Sequence, residues 1–262
     1  MENENQKPAT TVVQPQNAVL TPQRAIERVQ DKFVSVVKES GLELNWEKEK
    51  SYALQAIHNN PFLAKQDLNS IAMAVYNVAL YGLTLNPKKA YCYLVPRGGK
   101  VILDISYQGM LFIMTNQLDV SRINSEVIYA NDYFSYKTTE KGQELTHEPN
   151  LFAERGEALG VYAIAYLNKG GCVAVVLNNK EINEIKATSQ ASGTKHSPWN
   201  GDETIINEMK KKTAIRRLFK IIPKTDRIEE VYNAVSFDDE NNQPKWKKVE
   251  EVKPLDDLFE AE

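Results

Sequence analysis

Apolar positions recur along this chain with two different periods, and the change of period divides it into regions. From Thr21 to Gly41, residues Ile26, Val29, Phe33, Val36 and Val37 repeat every three or four positions, the spacing of one helix face, with Thr21 placed to cap and Pro22 at the first helical position. The same spacing predicts helices over 46–59, ended by Pro61, and over 68–81, where Leu68, Ile71, Ala72, Val75, Val78 and Ala79 make a stripe apolar enough to be buried and Gly82 supplies the stop. Beyond Gly82 the period falls to two. Runs rich in β-formers over 90–96 and 100–106 flank Arg97-Gly98-Gly99, a hairpin signal, and a short helix is expected over 107–116. Strands over 120–129, 133–138, 144–147, 158–168 and 171–177 follow, the last two joined through Lys169-Gly170-Gly171. Helical spacing returns over 178–188, a Ser/Gly/Pro loop covers 189–200, and a long helix is predicted over 203–222, stopped at Pro223, with a last turn or two over 228–235. The expected fold is α+β, with helices flanking one sheet of mostly hairpin-linked antiparallel strands.

Both ends depart from these patterns. Residues 1–20 are rich in Asn, Gln, Thr and Pro and lack periodicity, so a disordered segment is expected there. From Ser236 to Glu262 acids and prolines dominate apart from a patch over Leu255 to Phe259, which predicts a flexible acidic tail and leaves 21–235 as the folded domain. An apolar fraction of 42% over 262 residues suffices for a real core. No run of eighteen apolar residues occurs and the first sixteen positions lack the apolar stretch of a signal peptide, so a cytoplasmic protein with no membrane partner is expected. Cys92 and Cys172 lie in apolar, strand-like runs and read as buried reduced thiols, and His58, His147 and His196 are too scattered for a zinc site, so no metal or other cofactor is expected.

Charge changes the picture most. The net −3 is an average over unlike regions: residues 68–224 carry 19 basic against 14 acidic side chains, whereas 225–262 carry 5 against 12. A basic middle joined to an acidic tail suits a protein that handles a polyanion, the tail competing for the site, recruiting a basic partner or merely aiding solubility. The basic surplus is concentrated in the last helix. Ala214, Ile215, Leu218, Phe219, Ile221 and Ile222 fall on one arc and Lys210, Thr213, Arg216, Arg217 and Lys220 on the opposite one. Between Ile205 and Lys224 seven cations (Lys210, Lys211, Lys212, Arg216, Arg217, Lys220, Lys224) face the single acid Glu208, too uneven for an ordinary solvated helix face.

Four blocks stand in order along the chain: Gly82-Leu83-Thr84-Leu85-Asn86-Pro87; Tyr93-Leu94-Val95-Pro96-Arg97; Ser106-Tyr107-Gln108-Gly109; and Ser197-Pro198-Trp199 followed by the helix from Met209 to Lys220. Together, over about Leu20 to Val235, they resemble the RecT family of phage single-strand annealing proteins. The resemblance implies a recombinase that is not an ATP-driven enzyme, coats single-stranded DNA, pairs it with a complementary strand and assembles into rings or helical filaments. It also implies a sheet-and-helix core and makes 21–235 a single-strand annealing and oligomerisation domain. The acidic tail would then offer a docking segment for a partner exonuclease or a host single-strand-binding protein.

Annealing needs no covalent step, only neutralised phosphates with the Watson–Crick edges left free. The candidate phosphate contacts are Lys210, Lys211, Lys212, Arg216, Arg217, Lys220 and Lys224 on the helix, with Arg97 and Lys100 at a glycine-flexed hairpin tip as a second group. Tyr107 and Trp199 are the candidate base-stacking residues, Gln108 and Asn86 are polar residues at element ends suited to phosphate or sugar, and Tyr91 and Tyr93 are expected mainly in the core because strand aromatics bury. Gly98-Gly99-Lys100 sits between two strands rather than opening a helix, so no ATP-binding phosphate loop is present. Two alternatives stand beside this reading: a sequence-specific regulator using 203–220 as a recognition helix, and a metal-dependent nuclease drawing on Asp104, Glu126, Glu144 and Glu157.

Overall fold

A computed structural model describes residues 20–140, 142–188, 197–225 and 228. The expectations for the N-terminal segment, most of the 189–200 loop and the acidic tail lie outside the described residues, as does the turn over 228–235 except for Ile228, which is buried.

The N-terminal half is helical. Thr21 caps α1 (Pro22–Glu27), but the single helix expected up to Gly41 breaks at Arg28 and Val29, and α2 (Gln30–Glu39) begins after a turn in which the Val29 amide bonds to the Ile26 carbonyl. Ile26, Val29 and Phe33 stay buried across the break because both pieces pack on one later helix, so tertiary contact overrides a continuous helical period. Asn45 caps α3 (Trp46–Asn59), and Asn60 with Pro61 then starts a further turn, α4 (Pro61–Ala64), where the proline had suggested only a stop. Helix α5 (Leu68–Tyr81) is the hub: Ile71, Val75, Val78 and Ala79 are fully buried, and Gly82 at φ 62° ends it in the left-handed region.

The fold class is α+β with antiparallel strands, as the periods predicted, but the strands form three small sheets rather than one. Strands β1 (Cys92–Arg97) and β2 (Lys100–Ile105) make a hairpin on α5, and helix α6 (Tyr107–Gln117) follows directly. Strand β3 (Val120–Tyr129) pairs not with its sequence neighbour but with β6 (Ala158–Leu167), which pairs with β7 (Cys172–Asn178). The hairpin of β4 (Tyr133–Thr139) and β5 (Gly142–Glu148) is a sheet of its own. Alternation along β6 explains the arrangement. Val161, Ala163 and Ala165 join the main core beneath α8 (Glu203–Ile221), while Tyr162 and Ile164 point the other way, into a second cluster closed by Phe134 and Leu145 of the β4–β5 hairpin. Helix α7 (Asn179–Thr188) packs beside β6 and β7.

Two of the sequence blocks are structural fasteners. Glu49 of α3, 3% exposed, accepts from the Thr84 hydroxyl at 2.5 Å and the Leu85 amide at 2.8 Å, which holds the chain leaving α5; burial raises its pKa and those two bonds only partly offset the rise. Ser106 caps α6 by accepting from the Gly109 amide and donates to the Ala90 carbonyl at 2.6 Å. A methyl group on Gly109 would lie 2.2 Å from the Tyr91 carbonyl oxygen, so only glycine lets α6 start against the hairpin.

Candidate nucleic-acid interface

The β1–β2 hairpin separates its residues cleanly by face. Val101, Leu103 and Ile105 of β2 are buried against α5 and Cys92 and Leu94 of β1 are buried on the same side, which turns the cross-strand pairs Tyr93–Asp104, Val95–Ile102 and Arg97–Lys100 outward as one ladder. At the tip Gly98 and Gly99 adopt φ 56° and 79°, the left-handed pair of a tight two-residue turn. That tip is fastened rather than flexed: the Gly99 carbonyl accepts from the Asp67 amide at 3.1 Å, and the Val101 amide donates to the Ser70 hydroxyl at 2.8 Å. Arg97 and Lys100 therefore project from a rigid platform.

Helix α8 starts on Asp202, whose side chain accepts from the Ile205 amide at 3.0 Å. Ala214, Ile215, Leu218 and Phe219 are buried as the periodicity requires, and Ile222 just beyond the helix is buried too. Ile221 is not: the chain leaves helical geometry at Ile222, and Ile221 stays 48% exposed. Among the cations, Arg216 reaches the hairpin, its Nη2 lying 3.8 Å from Asp104 Oδ1. Its Nε is buried with no hydrogen-bond partner among the described residues. Lys212, one turn earlier, is held below the ordinary lysine range by burial and by the neighbouring Arg216, with Asp104 opposing. Arg217 and Lys220 are exposed. Asp104 is thus the acid shared by two cations whose demand it does not meet.

Not every candidate joins this face. Lys211 turns toward β3, 3.3 Å from Glu126 and 3.5 Å from Glu208, and these two acids outweigh its burial to raise its pKa. Lys210 is half-buried, its pKa lowered by burial against the pull of Glu203. Lys224 donates to the carbonyls of Lys220 and Ile222 at 3.1 Å each, closing the C-terminal end of α8 as a cation suits a helix dipole. Trp199 is corrected outright: it sits in a short turn, Pro198–Asn200, packed against α8 and only 4% exposed, which leaves no ring face for a base. Its apolar bulk was worth more to the core than its position in a polar loop suggested.

Tyr107 and Gln108 start α6 three and four residues after Asp104; Tyr107 is half-buried and its hydroxyl accepts from Gln108 Nε2 at 3.0 Å. Asn86 caps its own turn by accepting from the Lys88 amide. Tyr91 stacks on Phe112 with centroids 4.7 Å apart, as a core aromatic should. Tyr93 does the opposite. At 46% exposure it is the aromatic of the outward ladder, directly across from Asp104. The signal for it was available, since a two-residue period places Tyr93 on the same face as Arg97. Of the four acids weighed for a nuclease, Asp104 faces Arg216 and Glu126 faces Lys211, so two are engaged with cations. Among the described residues no group of three His, Cys, Asp or Glu stands close enough to hold a metal ion. None of the described helices is long and apolar enough to cross a membrane.

This scaffold and face define a class: an α+β protein that carries cations and an exposed aromatic on a hairpin and the helix beside it. More narrowly, the chain belongs to the RecT family, whose sequence model matches residues 47–253. It is 31% identical over 195 residues to Protein RecT of Escherichia coli (strain K12), spanning 71% of this chain and 69% of that protein. The family match takes in every element from α3 to α8, including the whole of the face just described, and membership makes this a DNA-binding protein of annealing and recombination.

Proposed function

We propose that this chain is an ATP-independent annealing protein that lays a single DNA strand along the outward ladder of the β1–β2 hairpin and the adjoining side of α8, working as a ring or filament of many copies in the cytosol of a host cell. The observation that carries the reading is the approach of Arg216 to Asp104, which joins two basic groups far apart in sequence into one strip. From the Tyr93–Asp104 pair to the Arg97–Lys100 pair is four strand residues, about 13 Å at 3.3 Å per residue. At the roughly 3.4 Å between charges along one strand of a duplex, that length faces about four phosphates. Lys212, Arg216, Arg97 and Lys100 would neutralise the backbone, with Arg217 and Lys220 extending the strip. Tyr93, and Tyr107 at its end, would stack bases without reading them. Backbone neutralisation with sequence-tolerant stacking leaves the pairing edges free, which is what annealing without fuel requires.

So short a strip per copy makes side-by-side assembly part of the mechanism, with residues 21–235 as the annealing and oligomerisation unit and the acidic tail left for an exonuclease or single-strand-binding partner. A regulator that inserts α8 into a major groove is disfavoured because α8 packs along the β3–β6–β7 sheet and against α6, and Arg216 turns toward the hairpin. The test is a competition between random single strands and duplexes. Preference for single strands of any sequence supports the proposal, and tight affinity for one duplex sequence overturns it.

A further inference from the structure

Every outward position of the β1–β2 ladder suits a polyanion except one. Arg97 and Lys100 supply charge, Val95 and Ile102 are neutral and Tyr93 offers a ring, but Asp104 sets a carboxylate at the end of the strip where Arg216 arrives. Elsewhere in the fold, acids on the core side are fasteners: the carboxylates of Glu49 and Asp132 are buried and accept backbone amides. Asp104 is placed differently. Its side chain keeps 41% of its surface, it accepts no hydrogen bond among the described residues, and Arg216 Nη2 at 3.8 Å is too far away to donate one. Aspartate is also a poor strand former, so neither the hairpin's backbone nor its packing accounts for a charge at this position.

The charges around it are arranged for competition. Arg216 turns Nη2 toward Asp104, while its Nε is buried with no partner among the described residues. A phosphate drawn to this guanidinium comes close to a carboxylate of its own sign, and between partly desolvated groups that repulsion is several times stronger than in bulk water. Asp104 also opposes the lowering of the Lys212 pKa, which favours the charged ammonium while the strip is empty. For the empty strip the carboxylate thus does, weakly and by charge alone, what a phosphate does for the filled one. Annealing gives such a group a use. A row of unopposed cations would hold a finished duplex, whose charge per unit length is about twice that of one strand, more tightly than the strand it started from.

We propose that Asp104 is an internal competitor for phosphate at Arg216: it loads the guanidinium when the strip is empty and is displaced when a strand arrives, which keeps affinity low enough for annealed product to leave. The inference rests on the single-strand reading of the strip given above. In the full-length chain, Asp104→Asn should raise affinity for a random-sequence single-stranded oligonucleotide about tenfold and slow release of annealed duplex by a similar factor, with circular dichroism unchanged. Asp104→Glu, which keeps the charge, should restore wild-type affinity. In an Arg216→Ala chain the Asp104→Asn change should shift affinity by less than about twofold, because the competitor has lost its site. Glu144→Gln, which removes an exposed acid from the separate β4–β5 sheet, should be equally mild. Unchanged or weakened affinity in the Asp104→Asn chain, an equal gain without Arg216, or a gain matched by Glu144→Gln would each overturn the competition. A wild-type chain that ignores the oligonucleotide at modest ionic strength would overturn the strip itself, a result read before any variant is compared.

Discussion

Two clusters of charge in this molecule use the same residue types to opposite ends. Beneath the β4–β5 hairpin, Asp132 has no exposed side-chain surface and accepts from Arg155, from the Tyr129 and Asn150 amides, and faces His147 Nε2 at 3.1 Å. Every lone pair is used, and the Arg155 guanidinium is further placed 4.2 Å over the Tyr129 ring. Between the β1–β2 hairpin and α8, a single acid, Asp104, stands before Arg216 at 3.8 Å and beside a desolvated Lys212, with Arg97 and Lys100 further along the same ladder. A satisfied network fastens a fold; an under-supplied one waits for a ligand. Cation excess over local acceptors, rather than cation count, separates the proposed binding face from the scaffold.

Breaking the satisfied network should have the largest effect on stability. Asp132→Ala strands a half-buried guanidinium and removes both anchors of the 150–155 loop, and should cost about 3 kcal/mol in urea unfolding, while binding of a short oligonucleotide at low temperature persists. The carboxyl of Asp132 is held well below the usual range, first by Arg155 and then by His147 and the two amides, against burial. A depressed pKa contributes stability above the unfolded value and loses it as pH falls, so this contribution should be complete above about pH 5 and decline progressively below about pH 4. In the Asp132→Ala chain that acid dependence should shrink.

The unsatisfied face should respond in the reverse sense. Arg216→Ala with Arg217→Ala should reduce annealing about a hundredfold, since two phosphates are left without a cation, and shift the unfolding midpoint little; full annealing by this chain would exclude α8 from the binding face. Tyr93→Ala should weaken single-strand affinity by about 1–3 kcal/mol at one stacking position, and Tyr93→Phe should restore most of it. The smallest effect expected is a titration. Because burial and Arg216 lower the Lys212 pKa, a phosphate drawn against it favours its charged form again, so binding should take up a fraction of a proton and weaken as pH rises toward the alkaline range, earlier than for an ordinary lysine. Lys212→Arg should abolish that dependence while preserving affinity.

The contrast also marks what was legible in the chain. Periodicity located α3, α5, β3 and α8 almost to the residue because their apolar faces are long and their caps strong: Asn45, Asp67 and Asp202 each accept from an amide of the first turn. The split between α1 and α2 was illegible, since Ile26, Val29 and Phe33 keep one face whether or not the helix turns between them. Partition into three sheets was hidden as well, because pairing β3 with β6 across the intervening hairpin is a long-range choice that local alternation does not encode. For the face, local charge imbalance pointed to Arg216, Arg217 and Lys220. It could not show that Lys211 would be drawn to Glu126 or that Lys224 would close the helix end. Trp199 and Tyr93 exchanged places for one reason: position relative to the core decides exposure, and only the strand phase shared with Arg97 carried that information for Tyr93.

The claim that hairpin and helix act as one strip is tested most directly by the salt dependence of single-strand binding. For a chain carrying Arg97→Ala, Lys100→Ala and Arg216→Ala together, the log-log slope of affinity against salt should become shallower than wild type by about 2, at roughly 0.7 for each phosphate no longer neutralised, with the fold intact by circular dichroism. A slope equal to that of the wild type would contradict a shared strip.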